Sequence, residues 1–387
     1  MHLTREEEAI LAGSMGDGYA KAMKVVVKVA EALEAPRLIR IEHAHISGIS
    51  YKNIGESGLK FLESLAESGA KASVPATINP AGMDLEKWRR MGISEEFALK
   101  QLRVIRALTK LGLKPTLTCT PYLYEKIPRR AQVAWAESNA VLYANSICEL
   151  YTNREGGPLA LMEAIVGRAP YVDYRIDENR KPTVIVDLRS LKRDIRQRSL
   201  YAAVGYFIGR MVKEGVPLLL GLPPDMTLAE TKLMLAAIGT SGSLTMVRLG
   251  DSDSGLPRVR VSNLQDIFAE LPAALSDEGV VALGCPHLSP GELSRLANLA
   301  SKYGKPKRRV IVFTARAAKR YAPKALEILV RQGFEVYYDT CMVVADLKAM
   351  GVDEVLVDSA KAAYYLSTQG FNVGLFLRSD IKRILYD

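Results

Sequence analysis

The chain has four cysteines, and three of them sit among polar and turn residues: Thr118-Cys119-Thr120-Pro121, Gly284-Cys285-Pro286-His287 and Asp339-Thr340-Cys341-Met342. Thiolates in such turns are ligands for soft metals and iron–sulfur clusters. No local Cys-x-x-Cys pair exists, so the fold must assemble any shared site, and buried, inert thiols are the competing reading. A cluster closed by four cysteines mainly carries electrons. Three thiolates leave one iron without a protein ligand, able to act as a Lewis acid on a substrate hydroxyl. The fourth cysteine, in Asn145-Ser146-Ile147-Cys148-Glu149, follows an aliphatic residue and a helical segment and reads as a bystander. His43 and His45 alternate along a strand and face one side, which suits metal, but no third ligand lies nearby. A structural or substrate hydrogen-bonding role is preferred for them. His287, close after Cys285, is placed to support a thiolate site. In Asp358-Ser359-Ala360-Lys361, the lysine offers a compact cation for a phosphate or carboxylate, and Arg154 is a second candidate.

These residues need elements to carry them. Over 1–150 the pattern predicts helices at 18–33, 58–69 and 95–111 and strands at 37–44, 71–75 and 116–119, an alternation typical of a parallel α/β sheet. From 151 to 278 it is less regular: a strand at 183–187, a helix at 199–215, strands at 218–220 and 244–248, and a Gly250–Gly255 surface loop. From 279 to 387 alternation returns, with strands at 279–283, 309–314, 335–339 and 354–358, as in a doubly wound unit. Three domains with those boundaries follow. Each polar or thiol motif falls just past a predicted strand, at the edge where open α/β sheets bind ligands.

Composition narrows the class. The 387 residues are 48% hydrophobic and 25% charged, too apolar for disorder and too long for one small domain. The net charge of +9 is spread along the chain, which argues against a nucleic-acid arm. Lys305-Pro306-Lys307-Arg308-Arg309 reads as a solvated loop, Glu86-Lys87-Trp88-Arg89-Arg90 as an exposed helix face, and Gly13-x-x-Gly16-x-Gly18 as a flexible turn. The N-terminus has a helix cap at Thr4 but no apolar leader. The Val216–Leu222 run is too short for a bilayer, so a cytoplasmic protein without membrane contact is expected.

Nine stretches taken in order resemble the large subunit of the aconitase X family. They begin with His43–Tyr51, Thr77–Gly82, Thr118–Tyr122, Trp135–Val141 and Asn145-Ser146, and continue with Thr152–Pro158, Gly284–Ser289, Asp339–Met342 and Asp358–Ala363. The resemblance implies an aconitase-like, multi-domain, three-layer α/β/α fold with parallel-rich sheets and an active-site cleft between domains. It also implies a hydro-lyase with an iron–sulfur cluster on Cys119, Cys285 and Cys341, of the 4Fe–4S type with one iron free of protein. For the archaeal branch, the implied reaction is dehydration of (R)-5-phosphomevalonate to trans-anhydromevalonate 5-phosphate in the modified mevalonate pathway. The implied partner is a separate small swivelling subunit whose serine is the proton acceptor, leaving no catalytic base in this chain.

Loss of water from a β-hydroxy acid needs a Lewis acid, a base and donors for the carboxylate. On that basis Gly48, Ile49 and Ser50 present backbone and hydroxyl groups to substrate, Asn79 with Pro80 and Ser138 with Asn139 form walls, and Ser359 with Lys361 hold an anionic group. Many family members read Gly-Ala-Arg where this chain has Glu149-Leu150-Tyr151, which disfavours cis-3-hydroxyproline, the runner-up substrate. From other classes, an RNA-binding role would show steep salt dependence, and a cluster-free scaffold would lack iron and sulfide.

Overall fold

The structure is a computed structural model, described for residues 1–250 and 255–387; most of the expected Gly250–Gly255 loop therefore lies outside the described residues. The described strands are β1 (Leu38–Arg40), β2 (His43–Ile46), β3 (Ala76–Ile78), β4 (Val133–Trp135), β5 (Arg168–Pro170), β6 (Val184–Asp187) and β7 (Pro217–Leu220). The rest are β8 (Arg248–Leu249), β9 (Arg258–Arg260), β10 (Val280–Leu288), β11 (Val310–Thr314), β12 (Glu335–Tyr337), β13 (Glu354–Val357) and β14 (Asn372–Leu375). The chain folds as two compact units, one of residues 1–82 and 93–181, the other of 83–92 and 182–387.

Unit 1 holds the parallel sheet β3-β2-β4 and the antiparallel pair β1-β5. The expected single strand at 37–44 is thus two, in different sheets. The expected strand at 71–75 is displaced: pairing starts at Ala76, since Pro75 can only accept, giving its carbonyl to Ala44 N. Nor is 116–119 a strand. Lys114 bridges Thr77 alongside β3, and Leu117 then takes a φ of 48°, which turns the chain at Cys119. The helix expected at 58–69 spans Tyr51–Glu67, broken at Gly55 with φ 60°. The Thr4 cap is present as a capping box with Glu7.

Residues 151–181, assigned to the middle domain on sequence, lie in unit 1. The reason is local packing: the helix Gly157–Val166 starts hard against the strand end at Ser47, and a Cβ on Gly157 would come within 2.1 Å of the Ser47 carbonyl oxygen.

Unit 2 has two wholly parallel sheets, β8-β7-β6-β9 and β12-β11-β10-β13-β14. The expected strand at 244–248 is confined to Arg248–Leu249. In the second sheet the chain runs from β10 outward to β12, then returns to β13 on the other side of β10. The switch point therefore lies between the C-terminal ends of β10 and β13. Leu283, Val312, Leu296, Leu326 and Phe376 belong to the core on one face of it. The segment Met83–Gly92 joins this unit through Asp84, whose carboxylate accepts from Tyr338 N at 2.8 Å, and through Lys87, which donates to the Val336 carbonyl at 2.7 Å. No helix among the described residues is long and apolar enough to cross a membrane.

Candidate functional site

In unit 1 the chemistry-bearing loops leave the C-terminal ends of β2, β3 and β4. Gly48 has φ 71°, a conformation that favours glycine, and it turns the chain into buried Ile49 and Ser50. The Gln101 side chain ties two loops together: it donates to the Ile49 carbonyl and accepts from Tyr51 N and Gly82 N. The Ser50 hydroxyl, fully buried, has no hydrogen-bond partner among the described residues. A buried hydroxyl left unpaired is costly unless something else satisfies it.

His45 is held by Thr77 (2.8 Å at Nδ1) and by Asn79, whose Oδ1 accepts from Nε2 at 3.2 Å. Burial pushes its pKa down to about 4, so it is neutral at physiological pH. His43 Nδ1 accepts from Trp135 Nε1 at 3.1 Å, and burial pushes its pKa down to about 3. Hydrogen bonds, not metal, account for both nitrogens of His45. Asn79 is half-buried beside it, and Pro80 is buried.

Asn139, expected to line a substrate wall, is wholly buried and donates to the Cys119 carbonyl at 2.9 Å while exchanging hydrogen bonds with Tyr122. It fixes the cysteine turn from behind, as does the Thr118–Thr120 hydroxyl contact at 3.0 Å. Ser138 is half-buried at the first turn of the helix Ser138–Ser146, and Arg154 is exposed.

Sequence reasoning missed a buried charge cluster below these loops. Arg175 lies 2.6 Å from Glu155 and 4.0 Å from Glu163, and neither Glu163 oxygen has a hydrogen-bond partner. One guanidinium cannot offset two buried carboxylates, so burial and the neighbouring Glu155 push the Glu163 pKa well above the usual range, which favours its neutral form. A carboxyl raised by folding takes up a proton, and the stability it supports is lost as pH rises. Glu163→Gln should therefore match the parent protein in acid and become more stable than it as pH increases, a divergence that urea unfolding across a pH series will reveal.

In unit 2, Gly284 has φ 111°, and a Cβ there would come within 2.1 Å of the Phe313 carbonyl oxygen; the chain then enters Cys285 and a cis Pro286. His287, fully buried, donates from Nε2 to the Thr340 carbonyl at 2.7 Å. That bond ties the Cys285 segment to the residue before Cys341. Asp339, with φ 62°, sets the same turn from the other side through its ion pair with Arg316, which also reaches Asp84 and Glu86. Ser359 spends its hydroxyl capping the helix Ala360–Thr368, accepting from Ala362 N at 3.2 Å, and Lys361 in the first turn is nearly all buried.

Beneath the switch point lies a second missed network. Lys232, wholly buried, donates to the His287 carbonyl at 2.5 Å and to Glu292 at 2.6 Å. Arg378 joins Glu292 at 2.8 Å and Asp358 at 2.5 Å. Burial alone would push the Glu292 carboxyl up, but these two cations outweigh it and hold it well below the usual range. A lysine directly before the apolar LMLAAI run and the Ser289-x-x-Glu292 capping box were the available signals.

No disulfide joins any of the four cysteines. Among the described residues no group of three or more His, Cys, Asp or Glu is gathered as a metal site; Cys119 belongs to unit 1 and Cys285 and Cys341 to unit 2. The donor set still suits iron–sulfur chemistry: Cys285, expected just past a strand ending at 283, lies instead within β10, where the register with β11 shifts between Leu283 and Leu288, and His287 ties that segment to the Cys341 turn, whose neighbouring Thr340 hydroxyl is buried without a partner among the described residues. Burial pushes the Cys148 thiol up to about 11, which keeps it protonated.

The sequence matches the aconitase X first domain over residues 1–178, the second over 182–263 and the third over 279–381. It is 40% identical to the phosphomevalonate dehydratase large subunit of Aeropyrum pernix, across 97% of both chains. The cis-3-hydroxy-L-proline dehydratase of Hypocrea jecorina is 34% identical, over 94% of this chain but 65% of that protein. Among solved structures, holo-form aconitase X from Thermococcus kodakaraensis superposes with a TM-score of 0.88 at 34% identity, covering 100% of each chain.

Proposed function

Since the chain belongs to the aconitase X family, we propose that it is the large subunit of a dehydratase acting on (R)-5-phosphomevalonate in the modified mevalonate pathway. The observation that carries this reading is like-for-like length: the archaeal large subunits match along 92% or more of both chains, whereas the hydroxyproline enzyme matches along 65% of its own. The relatives' designation as large subunits supports a small-subunit partner, and in this reading that partner supplies the serine base.

Cys119, Cys285 and Cys341 would hold an iron–sulfur cluster. When bound, it supplies Lewis acidity toward the departing hydroxyl. The remaining tasks fall to this chain's own groups. Asn139 and His287 position the cysteine turns from behind. The Ser50 hydroxyl and the backbone at Gly48 and Ile49 bind the substrate carboxylate, with Asn79, Pro80 and Ser138 shaping the walls. Lys361, at the helix start capped by Ser359, holds the phosphate.

The unpartnered Ser50 hydroxyl gives a clean test. Ser50→Ala should leave the unfolding midpoint unchanged or slightly raised, because no protein hydrogen bond is lost. It should lower kcat/KM by roughly tenfold to a hundredfold, the size of one hydrogen bond to a charged group. The decisive experiment is co-expression with the small subunit, anaerobic purification and a product assay with (R)-5-phosphomevalonate and cis-3-hydroxyproline in parallel. Water loss from the first supports the proposal; turnover of the second alone overturns it.

A further inference from the structure

Unit 2 contains a cavity of about 230 Å³ at the switch point of its five-stranded sheet. Leu283 and Leu288 of β10 form its floor, Leu296 and Leu299 of the helix Pro290–Tyr303 one wall, and Ile381 another. None of these belongs to the substrate-binding set above. Leu299 and Ile381 are half-buried and Arg295 is exposed, so the cavity is reached from solvent.

The polar groups lie to one end. Of the five N–H donors of a guanidinium, Arg378 gives one through Nε and one through Nη2 to Asp358, and one through Nη1 to Glu292. Two remain. Arg295 makes no ion pair or hydrogen bond among the described residues. The local charge is uneven too: Lys232, Arg378 and Arg295 face Glu292 and Asp358, which leaves one positive charge unmatched.

We propose that this cavity is a second binding site, for a small monocarboxylate with a short apolar chain. A carboxylate matches the planar fork of an arginine and neutralises the single surplus charge. A dianionic phosphate monoester would meet Glu292 and Asp358 with one charge too many. At ~30 Å³ per water-sized unit, the volume admits roughly eight non-hydrogen atoms, enough for a six-carbon acid. Five aliphatic side chains exclude water from that chain. The site does not depend on the proposed reaction.

Titration calorimetry on the full-length chain, with hexanoate, acetate, hexanol and hexyl phosphate as probes, tests it. Hexanoate is expected to bind saturably, with acetate, hexanol and hexyl phosphate each weaker. Arg295→Gln should weaken hexanoate about tenfold, the loss of one exposed charge-assisted contact, without moving the unfolding midpoint. Leu299→Trp, which fills the cavity, should abolish binding. Absence of saturable hexanoate binding, equal binding to the parent and Arg295→Gln, or tighter binding of hexyl phosphate overturns the proposal.

Discussion

Lys232→Met is expected to destabilise unit 2 by about 3–5 kcal/mol, the usual cost of removing one partner from a buried ion pair. The methionine fills much the same volume, so the loss is electrostatic. Glu292 is left with Arg378 and the Ser289 cap, and the His287 carbonyl loses a charged donor. Urea unfolding should show a lower midpoint at unchanged slope. The pH dependence has a definite sign. Folding depresses the Glu292 pKa, so the stability this carboxylate supports is present above the ordinary glutamate range and is lost as pH falls. Without Lys232 that depression is smaller, and the gap between variant and parent should narrow in acid. A Lys232→Met/Glu292→Leu double variant should recover much of the loss, since it leaves no buried charge unpaired on that side. Equal stability of the single variant and the parent would show that the network is not holding the sheet edge.

The C-terminal half of unit 2 was the most legible part of the chain. Its apolar, β-branched runs are buried on both faces, and polar turns bound them, so β10, β11, β12 and β13 stood out from the sequence. Asn372–Leu375 did not, because Gly374 and the polar Asn372 weaken the strand pattern; a Cβ on that glycine would come within 2.7 Å of Ser276. What local pattern cannot carry is pairing with distant segments. β5 is a three-residue Arg-Ala-Pro strand that exists because β1 runs antiparallel beside it, and Met83–Gly92 joins unit 2 through the side chains of Asp84, Glu86 and Lys87.

The same division holds for the candidate site. The segments bearing Ser50, Asn79, Cys119, Cys285 and Cys341 were marked by residue type. The residues that hold them were not: Gln101 reads as an ordinary helix residue and Lys232 as one lysine among many. Asn139, which bonds the Cys119 carbonyl and the Tyr122 hydroxyl, and Ser359, which accepts from Ala362 N, help to position the segments they belong to.

Serine in place of Cys119, Cys285 or Cys341, one at a time, should cut turnover roughly a thousandfold or more, because a metal Lewis acid contributes several kcal/mol and each 1.36 kcal/mol is a factor of ten. Serine preserves size and hydrogen bonding, so circular dichroism and the unfolding midpoint of the metal-free chains should stay close to the parent. Iron and acid-labile sulfide, measured after anaerobic reconstitution, should fall in each of the three variants together with the visible absorbance of the cluster. Cys148→Ser is the internal control: that thiol packs beside Val141, Ala144 and Leu150, its pKa is raised to about 11, and its loss should leave iron content and turnover intact. Full iron content in any of the three single variants would remove that cysteine from the ligand set. Iron loss in Cys148→Ser alone would replace the set altogether.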